Sequence, residues 1–395
     1  MALLLPQARS PPEGKLTTIG MLKMSPDDTH ASALPPEIGP NAAAASPAVG
    51  STPVTYRPEF TAEGKEYFRI WIVNLALTVV TLGLYSAWAK VRKLRYIYSN
   101  TTLAGSAFGY HGEPLKILKG RLIATTVGAG YFAATRYSPI AALVVVLLIG
   151  SIAPWLVVKS RIFALRMTSW RGIRFGFLPD FSGAYRAILG WAVAGMVTLG
   201  ILWPRAVRER MRFIVSRSLF GTTRFECEPR IGRFYKTAGV LIGVGVLWAI
   251  AVGIIVGATV FANRGKGTPM KAMQGIGMLV TIILYVALFA VMKAYTQSRN
   301  LNEVFNTTRL GPHRFKSRLR ARTLIWIYIT NAMGILVTLG LFTPWAQLRL
   351  VRYRLSTLEL ETHGSLDAFA AAAASRAPGA AGEEISDFLD VDFGL

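Results

Sequence analysis

The sequence predicts an all-α polytopic membrane protein in which three Thr-Leu-Gly elements, read as internal repeats, alternate with two transmembrane helical hairpins. Three observations predict it. Of 395 residues, 52% are hydrophobic in type and only 16% charged, with a mean hydropathy of +0.40, a balance that excludes a water-soluble globule of this size. Several apolar stretches are long enough to cross a bilayer. One residue pattern returns three times at fixed spacing.

In chain order, residues 1–58 are rich in Pro, Ala, Ser and Gly and carry four basic and four acidic side chains. Their few apolar residues cannot offset the entropy of ordering, so a disordered arm is expected. The short apolar opening lacks the cationic lead and the length of a secretory signal. Residues 59–363 form the expected membrane domain. Within it, residues 70–89, 137–158, 237–263, 272–292 and 323–348 are charge-free and reach the roughly 20 residues that cross about 30 Å of hydrocarbon as helix. Residues 187–204 are marginal. Residues 122–135 would give only about 21 Å of helix and are read as the first limb of a hairpin turning at Tyr137-Ser138-Pro139. Residues 364–395 run through an alanine tract into Glu383, Glu384, Asp387, Asp390 and Asp392. They are expected to be a disordered acidic tail that finds a protein partner or docks on a basic face.

The repeat is legible without gaps. Thr81-Leu82-Gly83, Thr198-Leu199-Gly200 and Thr338-Leu339-Gly340 each open a register with Ala ninth (Ala89, Ala206, Ala346), Arg fifteenth (Arg95, Arg212, Arg352) and Ser nineteenth (Ser99, Ser216, Ser356). A chance tripeptide does not explain the distant Arg and Ser, so internal duplication is expected.

Charge then bears on threading. If seven segments all cross, the Lys and Arg of residues 59–363 divide 20 against 19 between the two faces, and the positive-inside preference decides nothing. If the Thr-Leu-Gly elements enter and leave on one face while two helix pairs cross, the division becomes 35 against 4. The elements are therefore read as re-entrant or interfacial hairpins bent at Gly83, Gly200 and Gly340, with Pro204 and Pro344 helping to break two of them. Irregular backbone at that depth calls for cover by protein, so the three bends are expected to cluster inside the bundle. The plain alternative is three ordinary spanning helices.

Little chemistry is on offer. Asn74 and Asn331 share a repeat position inside apolar segments, where interhelical hydrogen bonding is the ordinary role and a substrate or ion contact the sharper one. Gly245, Gly253 and Gly257 place small residues on one helix stripe, which suits close packing in lipid. Basic flanks such as Lys90, Arg92, Arg205 and Arg208 suit anionic lipid headgroups, and their spread argues against nucleic acid as a partner. Leu103-Ala104-Gly105 to Phe108, Trp170-Arg171-Gly172 to Phe175, Gly221 to Phe225 and Gly311 to Phe315 read as small β-hairpins in cytoplasmic loops. His111, Glu113 and His313 fall there as loop polar residues. With four histidines and the single Cys227, neither a metal site nor a disulfide framework is expected. No nucleophile pairs with a histidine and no glycine loop cradles phosphate, so neither an enzyme nor a cofactor is expected.

Three stretches carry a resemblance: Glu66-Tyr67-Phe68-Arg69-Ile70-Trp71, the run from Thr81-Leu82-Gly83 to Trp88-Ala89-Lys90, and Thr168-Ser169-Trp170-Arg171-Gly172-Ile173-Arg174-Phe175. They are similar to the YjgN-type bacterial inner-membrane proteins, a family of uncharacterised function, over roughly residues 57–362. The resemblance implies a multi-pass protein of the cytoplasmic membrane and brings no catalytic residue with it. A channel- or transporter-like core is the leading expectation, by analogy with duplicated transporters. The alternative is a non-transporting scaffold or lipid-associated regulator. Assembly as a homo-oligomer is left open.

Overall fold

The computed structural model describes residues 53–262 and 270–375; the arm before them and the acidic end of the tail lie outside the described residues. Two short strands, β1 (Val54–Tyr56) and β2 (Glu59–Phe60), lead into a helical hairpin, α1 (Gly64–Val80) and α2 (Ser86–Ser99). A β-hairpin follows, β3 (Thr101–Leu103) and β4 (Ser106–Tyr110), and then a longer helical hairpin, α3 (Pro114–Tyr137) and α4 (Pro139–Arg166). The alternation continues through β5 (Thr168–Trp170) and β6 (Ile173–Phe177). Next come α5 (Phe181–Ala184), a π-helical stretch (Tyr185–Gly190), α6 (Trp191–Val197) and α7 (Trp203–Ser216). It goes on through β7 (Ser218–Phe220) and β8 (Thr223–Cys227), α8 (Ile231–Ala262) and α9 (Met270–Asn306), then β9 (Thr308–Leu310) and β10 (His313–Ser317). The last hairpin is α10 (Ala321–Val337) and α11 (Thr343–Ser356), followed by β11 (Leu358–Thr362) and α12 (Leu366–Ser375).

The strands overturn the all-α expectation. All eleven join one antiparallel sheet in the order β1-β11-β10-β9-β8-β7-β6-β5-β4-β3-β2. The turns are hairpin turns with residues to suit. Ala104-Gly105 and Arg171-Gly172 have positive φ at both positions, and Gly221 and Gly311 have it at the first, the backbone twist that two-residue loops need. The sequence-predicted β-hairpins are thus consecutive pieces of one sheet. They pair with each other across hairpins far apart in sequence, as in Phe225 opposite Leu310, which local pattern does not display. The two edge strands, β1 and β2, are separated in sequence by Arg57 and Pro58 alone. Two residues reach only about 7 Å, so the sheet must curl round until its edges nearly meet.

Every helical hairpin begins and ends on this sheet. Among the described residues, three helices are long and apolar enough to cross a membrane: Pro139–Arg166, Ile231–Ala258 and Val280–Asn306. Residues 70–89 and 323–348 do not form single helices. Each breaks at its Thr-Leu-Gly into limbs of 17 and 14 residues, and Pro204 and Pro344 sit in the first turn of the second limb, where a missing N–H is harmless. The tail expected to be disordered from residue 364 instead opens with α12, whose Leu366, Ala370 and Ala373 are buried against the sheet.

Candidate functional site

Alternation along each strand sends one set of side chains to the inside of the curl. Cross-strand partners there are apolar and large: Phe108 opposite Trp170, Phe175 opposite Phe220, Phe225 opposite Leu310 and Phe315 opposite Leu360. Rings meet at 5.2 Å between Phe175 and Phe220 and at 5.6 Å between Trp170 and Phe220, within the range of favourable aromatic pairs. They do not fill the interior. A chamber of about 370 Å³ remains, walled by these side chains, by Ile97 and Tyr98 of α2, and by Val351 and Leu355 of α11. That volume falls in the range of small-molecule pockets.

The far mouth is covered by α12. Phe369 stacks on Phe220 at 6.2 Å, and Asp367 pairs with Arg171 in the β5–β6 turn. The helix lies close over two turn glycines. A Cβ on Gly221 would stand 2.9 Å from the Ala373 carbonyl oxygen, and one on Gly311 would stand 3.3 Å from Phe369. Glycine at these turns therefore serves twice, for positive φ and for the approach of the lid.

A buried histidine stands among these walls. His313 is 1% exposed, and neither ring nitrogen has a hydrogen-bond partner among the described residues. Phe369 lies edge-on to it at 4.6 Å. Burial, and then the charge of His363, push the imidazole pKa below its usual 6.5, so the ring is neutral at pH 7 and holds one unused donor and one unused acceptor. Buried polar groups without partners are rare enough to need a reason.

On the helix side, a second cavity of about 570 Å³ lies among α4, α7 and α9. Phe175, Phe225 and Phe315 line both spaces. Arg161 of α4 and Arg210 of α7 line the second one and feel each other's charge. No acidic side chain pairs with either among the described residues.

The sequence-predicted residues take other places. Thr81, Thr198 and Thr338 each hold a bend from both sides. Their Oγ1 atoms donate to Leu77, Ala194 and Gly334 carbonyls at 2.7, 2.7 and 2.6 Å, and accept from the N–H of Tyr85, Leu202 and Phe342. Gly83, Gly200 and Gly340 have φ of 93°, 92° and 96°, and each N–H donates at 2.7 Å to a carbonyl five residues back, a helix-ending pattern that puts the preceding Leu82, Leu199 and Leu339 in the left-handed region at φ of 50°, 50° and 49°. The bends do not cluster inside the protein, contrary to the expectation above. Leu82, Leu199 and Leu339 at their tips are 94–95% exposed. Because the bend satisfies its own backbone groups, it needs no protein cover.

Arg95, Arg212 and Arg352 serve the joints between strand and helix. Arg212 pairs with Glu228 and Glu209, and Arg352 donates to the Ala62 carbonyl at 2.8 Å. Arg95 lies near the Tyr110 hydroxyl. Asn331 donates to the Ala346 carbonyl across its hairpin at 3.1 Å, whereas the Asn74 side-chain oxygen is buried without a partner among the described residues. The chamber walls were half visible in sequence as the Phe that follows each hairpin glycine; Arg161 and the role of His313 were missed. Nothing local to either residue distinguishes it from a membrane flank or a loop.

Taken together, apolar helical hairpins rooted on a curled sheet with a hollow, apolar interior define an integral membrane protein. The chain belongs to the family described as bacterial protein of unknown function (DUF898), whose model matches residues 55–388. It is 24% identical over 352 residues to the inner membrane protein YjgN of Salmonella typhimurium LT2, covering 78% of this chain and 88% of the relative. To the inner membrane protein YjgN of Escherichia coli K12 it is 23% identical over 347 residues, covering 75% and 86%. With its three candidate spans, it is a multi-pass protein of the bacterial inner membrane. No solved structure matches the chain.

Proposed function

We propose that the chain is a membrane-embedded binding protein, not an enzyme, that takes the acyl chain of a lipid into the chamber of its curled sheet. The observation that carries this reading is the chamber itself: about 370 Å³ walled by aromatic and aliphatic side chains, set directly beneath helices that enter the bilayer. An apolar ligand gains from such walls in proportion to the area it buries. His313 supplies one point of hydrogen bonding within otherwise greasy surroundings.

The same reading places the sheet on the cytoplasmic side. The short limbs, 17 and 14 residues, extend about 25 and 21 Å and stop short of the far headgroups, so that their exposed Leu tips end within about 30 Å of hydrocarbon. Hairpins of this kind put 35 of the 39 basic residues of 59–363 on the sheet's side, where they would hold anionic headgroups. Three bends with one geometry also favour descent from a duplicated unit.

The test is lipid retention. Full-length chain purified in non-ionic detergent should keep about one acyl lipid per molecule through native mass spectrometry, and Leu360→Trp, which fills the chamber, should lose it. Absence of retained lipid, or solute flux through the protein in liposomes, would favour the channel or transporter instead.

A further inference from the structure

The two cavities share three phenylalanines and differ in charge. Arg161 stands five residues before the end of α4, about 7.5 Å from the helix end, and Arg210 faces the same space from α7. Two guanidinium groups lining one largely apolar cavity, with no carboxylate between them among the described residues, repel each other until an anion arrives. Each offers a planar fork of donors that fits a carboxylate or phosphate. Phe175, Phe225 and Phe315 then form the partition between this basic vestibule and the chamber. A ligand satisfying both spaces has a charged end and an apolar end.

We infer that the ligand is an anionic single-chain amphiphile, such as a fatty acid, whose head lies between Arg161 and Arg210 and whose chain passes the three phenylalanines into the sheet. This rests on the lipid-binding reading above and adds the class of ligand and its orientation. Headgroup carboxylate or phosphate and free phosphate share the chemistry that the arginines recognise, and the chain separates them.

The experiment uses the full-length chain in non-ionic detergent and displacement of a fluorescent fatty acid. Competitors are palmitate, hexadecanol and inorganic phosphate. Palmitate should compete about tenfold better than hexadecanol, as loss of a charge-assisted contact implies. Arg161→Gln with Arg210→Gln should bring palmitate down to the level of hexadecanol and leave hexadecanol unchanged. The paired Lys substitutions, which keep the charge, should restore most of the difference. If the Gln pair leaves palmitate untouched while Leu360→Trp abolishes both amphiphiles, the anion site is wrong and the chamber reading survives. Should phosphate alone compete as well as palmitate, the site is for a free anion and the amphiphile is overturned. Failure of both amphiphiles to bind takes down the two readings together.

Discussion

Arg352 and Ala62, 290 residues apart, are joined by a 2.8 Å hydrogen bond from the guanidinium to the carbonyl oxygen. The last helical hairpin is thereby fastened to the entrance of the first. Around it, the Tyr67 hydroxyl donates to the Gln347 side chain at 2.9 Å, and Phe68 stacks on Trp345 at 5.0 Å. Arg57 adds two bonds to Glu359. Five hairpins are held in a ring by contacts between its two ends.

Breaking the fastening should open the ring locally. Arg352→Gln is expected to raise amide exchange in residues 61–70 and 343–350, with the α7 region unchanged. Equal exchange everywhere would show that the contact does not latch the ends.

The Thr-Leu-Gly bends should be sensitive to small changes. Gly340→Ala places a Cβ at φ 96° with open space around it, so only backbone strain acts, about 1–2 kcal/mol. Thr338→Val removes a donor and an acceptor at once, at about 1–2 kcal/mol. Thermal unfolding in detergent should show both losses, and a melting temperature as high as that of the unaltered chain would contradict the geometry.

Asn74 and Asn331 should part company despite their shared register. Asn331→Leu strands the Ala346 carbonyl contact and is expected to destabilise by about 1 kcal/mol. Asn74→Leu discards a buried oxygen without a partner and should be neutral or stabilising. Paired denaturation curves check the order of the two.

His313 gives the docking of α12 a dependence on pH. Its folded-state pKa lies below the ordinary 6.5, so the unfolded chain binds the extra proton first, and stability falls as pH drops below about 6.5. Full stability is present above that value. Proteolysis within residues 364–375 should quicken as pH falls from 7 toward 5, and His313→Phe should flatten the response.

Much of this was legible from residue patterns, for reasons that differ by element. Hydropathy marks α4, α8 and α9 because a long charge-free helix has few other fates. The bends are marked by Thr and Gly, since one supplies both hydrogen bonds and the other the positive φ. The turn glycines Gly105, Gly172, Gly221 and Gly311 mark the hairpins. Closure of the sheet was hidden because strands of two to five residues carry too little period, and their pairing joins distant segments such as Cys227 with Thr308. His313 and Arg161 became meaningful only once α12 and α7 were placed beside them.

The curl has an effect on biogenesis. β2 can pair with β3 as soon as that strand emerges, but β1 must wait for β11, Tyr56 meeting Leu360. At about 5–20 residues per second, translation leaves that first strand waiting roughly 15–60 s. During that interval the nascent polypeptide shows an open edge to chaperones and neighbouring ribosome products, and a truncated message leaves it open for good.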